Sequence, residues 1–222
     1  MIETATGLVL RTYPLTESSL IVHWLTAAAG RIATVAKGAR RPKSPFHGKL
    51  DLFYLADFSF NRSRRSELHT LREVKLRETH SALRRELGYL QQASYCAALV
   101  DGTTEIETPL PEIFELLRGM LGCLSLAEPQ NETIFAFELK LLNQMGLEPD
   151  FSETRLALGT QQSAQDLLRL DWPAVMRFRL EAAESAELRH FLYGFLAYHL
   201  GRVPKGREAA LTRISNRDRL NP

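Results

Sequence analysis

Lys37, Arg40, Arg41 and Lys43 put four cations into seven residues, and the nearest carboxylate in sequence is Asp51. Such a cluster cannot neutralise itself locally. Arg62, Arg64 and Arg65 form a second cluster among Asn61, Ser63 and Ser66. A cation held near a phosphate displaces a condensed counterion, so two such loops on one small unit could together follow a polyphosphate backbone with steep salt dependence. The competing reading is a pair of solvated loops that aid solubility. Phe46, inside the first basic stretch, and Phe53, just beyond it, are the candidates for stacking on bases, a contact that tolerates any sequence. Against that stands the usual place of a phenylalanine, in a core.

Bond-breaking chemistry finds less support. Asp57 and the Glu73-Val74-Lys75 tripeptide offer two carboxylates and a lysine that could hold Mg²⁺ and orient a water, as in a metal-dependent nuclease. Alternating charges on one strand explain the same residues more simply. There is no Gly-x-x-x-x-Gly-Lys-Ser/Thr loop, no His-Glu-x-x-His and no Gly-x-Ser-x-Gly. Of six histidines, His190 and His199 lie nine apart on one predicted helix and point about 180° from each other, so they are not joint ligands. Cys96 and Cys123 are too few for a thiolate zinc site and read as reduced core residues. No catalytic residue, metal or cofactor is therefore expected.

The elements that must position the basic loops are strands. Thr6–Tyr13, Ser19–Leu25, Arg31–Lys37, a stretch from 50 to 61 and another from about Leu68 to Arg77 are β-branched or alternating and are separated by turn residues. Leu50, Leu52, Tyr54, Ala56, Phe58 and Phe60 hold every second position, which puts one face on a core, with Phe53 opposite. Five short strands predict a small barrel or sandwich over residues 1–80. From about Ser81 the period becomes helical. Thr108-Pro109 opens one predicted helix and Asn131 caps another, which ends at Gly146; a long helix closes at Gly201. Residues 147–183 read as a loop with one or two short helices, around Ala164–Leu168 and Ala174–Leu180.

Charge divides the same way. Residues 1–80 hold thirteen Lys/Arg against seven Asp/Glu, net +6, and residues 81–222 hold fifteen against nineteen, net −4. The basic part points to a polyanion partner. Arg202, Lys205 and Arg207, continued by Arg213, Arg217 and Arg219, make a third basic region, with a tail that is either a contact or frayed. No run approaches the roughly 18–20 apolar residues of a membrane span, and the start shows no basic-then-apolar secretory pattern. A cytoplasmic protein is expected.

Gly7-Leu8-Val9-Leu10-Arg11-Thr12, Glu17-Ser18 and above all the stretch from Gly30 through Lys37-Gly38-Ala39-Arg40-Arg41-Pro42-Lys43-Ser44 resemble the RecO family of bacterial DNA-repair recombination mediators. Phe137–Leu142 with Gly146, and Tyr198–Arg202, resemble it more weakly. The resemblance implies an α+β protein: an N-terminal OB-fold barrel over 1–80 and an α-helical domain over 81–222 for partner contacts. It implies a non-enzymatic binder of single- and double-stranded DNA that anneals complementary strands. The implied protein partners are the acidic, apolar C-terminal tail of single-stranded-DNA-binding protein and the ring-forming RecR, with which the recombinase is loaded. Lys37, Arg40, Arg41 and Lys43 carry over as DNA contacts; Arg62, Arg64 and Arg65 rest on charge alone. Lys140 or Arg118 could meet an acidic tail. Many members have a four-cysteine zinc site after the segment matching Gly146–Phe151, and Phe151–Leu167 has no cysteine here, so the chain resembles the zinc-free members. An RNA-binding OB protein is the alternative, since backbone cations do not sense the 2′-hydroxyl.

Overall fold

The computed structural model describes residues 2–211. Five strands come first: β1 (Ile2–Pro14), β2 (Leu20–Thr26), β3 (Gly30–Ala36), β4 (Leu55–Asn61) and β5 (Leu68–Glu78). They close into a barrel in the order β1-β2-β3-β5-β4. Only β3 and β5 run parallel; the other neighbours are antiparallel. This is the OB-fold-type barrel, and closure leaves it no free edge.

The alternation seen in the sequence is what fills it. Val9, Val22, Trp24, Ile32, Phe58, Phe60, Leu71 and Val74 are buried in one cluster. Trp24 stacks on Phe58 at 4.1 Å between ring centroids, and its indole N–H donates to the buried Thr34 hydroxyl at 2.9 Å. The polar end of the largest core side chain is thus satisfied inside the barrel. β4 is shorter than the alternating stretch that predicts it. Before Leu55 the chain turns, and Phe53 adopts a left-handed φ of 65°.

Residues 100–118 pack with the barrel, although their periodicity is helical; the other compact unit takes 82–99 and everything from 119 on. The segment after α1 (Leu87–Thr103) straps across the β2–β3 turn. Glu107 N donates to Arg31 O at 2.9 Å and Leu110 N to Ala27 O at 3.0 Å. The Arg31 guanidinium pairs with Asp101 at 2.5 Å and also donates to Thr104 O. Gly30 is required where the strap crosses: its φ is 63°, and a Cβ there would stand 1.8 Å from Thr108 O. Thr108 and Pro109 therefore belong to the strap, and α2 (Pro111–Cys123) begins two residues after Pro109, with Pro111 at its first position.

In the second unit α3 (Asn131–Gln144) is buried almost all round. Its cap position is held by Gln130, not Asn131, whose amide donates to Ser185 Oγ at 3.2 Å. Around it lie α4 (Leu158–Arg169), α5 (Trp172–Val175), α6 (Ala182–Leu200) and the short α7 (Arg207–Leu211). α4 is longer than the short helix expected there. α6 closes at Gly201, φ 71°, as its glycine predicts. α7 is fastened by a buried ion pair: Arg207 meets both oxygens of Glu138, at 2.7 and 2.9 Å, and Glu138 also accepts from the Tyr95 hydroxyl at 2.6 Å. Burial and the adjacent carboxylate push the Tyr95 phenol far up, so it stays a donor.

Candidate nucleic-acid interface

The first basic cluster follows β3 directly. Gly38, at φ 69°, turns the chain out of the strand. A chain of tight turns follows, with Ala39 N bonded to Ala36 O, Arg41 N to Gly38 O, Ser44 N to Arg41 O and Lys49 N to Phe46 O. Two buried side chains, Ala39 and Phe46, anchor this loop in the barrel core. It is also tied to the β1–β2 turn, through Arg40 N to Ser18 O at 2.9 Å and Gly38 N to Ser19 Oγ at 3.3 Å. On this pinned backbone Lys37, Arg40, Arg41 and Lys43 are all exposed. Among the described residues none of the four is in an ion pair; the Arg40 guanidinium donates to the Thr16 carbonyl, at 3.4 Å. Four uncompensated cations on an ordered rim make a local positive potential aimed at solvent.

Phe46 and Phe53 do not offer the stacking faces expected of them. Phe46 is 6% exposed and Phe53 1% exposed. Phe46 is consumed by anchoring the loop. Phe53 continues the pairing beside β1, its N–H donating to Val9 O at 2.8 Å and its carbonyl accepting from His80 Nδ1 at 2.7 Å. A ring with no accessible face cannot receive a base.

The second cluster lies apart from the first. Successive antiparallel strands place successive connections at alternate ends of a barrel, so the β3–β4 loop and the β4–β5 turn occupy opposite rims. Arg62 is moreover engaged, 2.8 Å from Glu3 and 2.8 Å from Glu107. Its hydrogen bond holds the Glu3 carboxyl below the usual range. Glu107 also meets His69 Nε2 at 2.8 Å, and that imidazole is fully buried. Arg64 and Arg65 remain exposed on a turn built around Ser63 Oγ, which accepts from both Arg65 N and Ser66 N. The two clusters therefore do not form one continuous patch.

Asp57 faces Lys75 across the β4–β5 ladder, and Ser59 faces Glu73. Both Asp57 oxygens are occupied, by the Thr6 hydroxyl at 2.6 Å and Arg77 Nε at 2.8 Å. Those two bonds, Arg77's first, hold the carboxyl below its ordinary value. Among the described residues no group of three or more His, Cys, Asp or Glu could hold a metal ion. An open cleft of about 850 Å³ beside Asp57 is lined by Phe58, Phe60, Phe46 and Phe114, with Lys49 and Lys75 among its polar residues.

The cations considered for partner contacts are engaged as well. Lys140 donates to the carbonyls of Leu168 and Leu170 at 2.6 and 2.7 Å, and burial pushes its ammonium pKa down. Arg118 pairs with Glu115 at 2.9 Å. Arg207, part of the third basic region, is buried against Glu138, whereas Arg202 and Lys205 are exposed. Arg213, Arg217 and Arg219 lie outside the described residues.

Fold and rim together define an OB-fold-type barrel protein with an appended helical unit and a basic connection after its third strand. The chain belongs to the RecO family: residues 1–80 match the family model "Recombination protein O N terminal" and residues 84–156 match "Recombination protein O C terminal". It is similar to the DNA repair protein RecO of Anaeromyxobacter dehalogenans (strain 2CP-C), 36% identical over 144 residues, which is 65% of this chain and 57% of that protein. The corresponding protein of Bacillus subtilis (strain 168) is 31% identical over 152 residues, 68% of this chain and 59% of that one. That of Exiguobacterium sibiricum is 27% identical over 207 residues, 91% and 82%. The chain thus spans a little over half the length of the first two relatives. Among the described residues no helix is long and apolar enough to cross a membrane.

Proposed function

We propose that this chain is a recombination mediator in DNA repair, which binds DNA through the barrel and anneals complementary single strands without breaking bonds. The carrying observation is the rim of four exposed, unpaired cations on a loop anchored by Phe46 and Ala39. An ordered cationic rim suits a polyphosphate because its groups need no rearrangement to meet the charge. Annealing follows from the same feature. Two backbones repel, and a surface that neutralises one while holding the other lowers that barrier.

Single-stranded-DNA-binding protein and RecR are the proposed partners, and recombinase loading on coated DNA the proposed outcome. With Lys140 and Arg118 engaged internally, an acidic tail would draw on exposed cations elsewhere, Arg202 and Lys205 among them. The test is strand annealing on DNA coated with its single-strand binding protein, with and without that protein's C-terminal tail. Faster annealing that depends on the tail is expected. Equal rates with and without the chain would reject the proposal. Competition between matched DNA and RNA oligomers decides between DNA and RNA, and DNA should compete better.

A further inference from the structure

The outward face of the barrel near the basic rim carries an exposed aromatic side chain, Tyr13. Tyr13 pairs with Ile21 and Arg11 with His23 across β1–β2; Ile21 pairs with Val35 and His23 with Ala33 across β2–β3. Directly opposed residues share a face. Trp24, Thr34 and Val22 point into the core, so Tyr13, Ile21, His23, Ala33 and Val35 lie on the outer side with Arg11. The strap covers the far end of this face, where Leu25 is outward yet fully buried. The end nearest the basic loop stays open, and Tyr13 there is 38% exposed.

Tyr13 is also held. The Arg11 guanidinium sits 5.4 Å from its ring centroid and is itself fixed by Asp101 at 2.9 Å. The His23 ring meets it at 5.5 Å and 80°. An ordered ring loses little freedom when a base arrives. Tyr13 is the penultimate residue of β1, and Thr16 and Ser18 of the β1–β2 turn bond Arg40. The ring and the unpaired cations therefore stand at the same end of the barrel.

We infer that Tyr13, flanked by Arg11 and His23, is the surface on which a base of single-stranded DNA stacks while the Lys37–Lys43 cations hold the adjoining phosphates. The inference rests on the proposed DNA binding and deepens it. Charge complementarity selects the occupant, because the open aromatic face adjoins cations with no carboxylate partner. Stacking answers to the base, whereas the loop answers to the phosphates, and the two separate experimentally.

The experiment is fluorescence anisotropy of the full chain with a labelled oligothymidylate and with an abasic oligomer of equal phosphate number. Tyr13→Ala should weaken oligothymidylate binding by on the order of tenfold and leave abasic binding unchanged. Tyr13→Phe should bind like the wild type, which separates the ring from the hydroxyl and from misfolding. Arg40→Ala/Arg41→Ala should weaken both oligomers. If Tyr13→Ala weakens both equally, or neither, the stacking role is wrong while DNA binding stands. Loss of an acidic peptide's binding in Tyr13→Ala, with both oligomers unaffected, would reassign the face to a protein partner. A wild-type chain that binds neither oligomer overturns the parent proposal as well.

Discussion

His23 shows how one side chain is shaped by its neighbours. Burial comes first among the influences on it and holds its pKa below the ordinary 6.5; Arg11 and Arg31 act in the same direction and Asp101 opposes them. The folded chain therefore binds fewer protons at this site than the unfolded one. Stability is expected to fall as pH drops below about 6.5, the unfolded imidazole's value, until the folded pKa is passed. Urea midpoints of the wild type and His23→Gln between pH 7.5 and 5 should show the steeper acid loss in the wild type; parallel curves would contradict this. The residue scale is also where the sequence misleads most. Nothing local in a basic turn tells that Phe46 enters the core, and Arg62 finds Glu3 fifty-nine positions away. Such pairings are set by barrel closure, which local spacing does not encode.

Among the elements, the strap and α7 each depend on a position that a single substitution disturbs. Gly30→Ala meets both a left-handed φ and the Thr108 carbonyl, so it should destabilise the barrel by roughly 1–3 kcal/mol or more, with Gly30→Asn similarly harmful because the crowding remains. Thermal melts reporting less than a degree of change would refute the crossing. Arg207→Ala leaves Glu138 buried without its cation, and a loss of about 3–5 kcal/mol is expected; Arg207→Met combined with Glu138→Leu should recover much of it. Equal stability of the single and double variants would show that the pair is not coupled. The strands were legible where period two matches an inward and an outward face, as Phe58 and Phe60 demonstrate, and not over residues 50–54, where the same alternation falls in a turn. The strap was not, since its attachment runs through backbone groups of Arg31 and Ala27, and backbone groups leave no composition signal. Opposite placement of the two basic connections, by contrast, could have been read from five consecutive strands alternating in direction.

For the whole molecule, the basic part of the sequence resolves into a barrel unit whose densest run of unpaired cations is the Lys37–Lys43 loop on one rim. Much of the remaining charge there is neutralised: Arg11 and Arg31 by Asp101, Arg62 by Glu3 and Glu107, Arg77 by Asp57. What is left over after those pairings is the Lys37–Lys43 loop, Arg64 and Arg65 on the other rim, and Lys49, Arg72 and Lys75, which are spread along the barrel. Net charge alone overstates the binding surface; pairing geometry narrows it, and the density of four cations within residues 37–43 singles out the loop. The central claim is that this loop contacts phosphates, and the salt dependence of single-stranded DNA affinity tests it most directly. Plotted as log Kd against log salt, Arg40→Ala/Arg41→Ala should lower the slope by about 1.4, the value for two lost contacts on a single strand, with weaker binding at low salt. An unchanged slope and affinity would place the DNA elsewhere on the molecule.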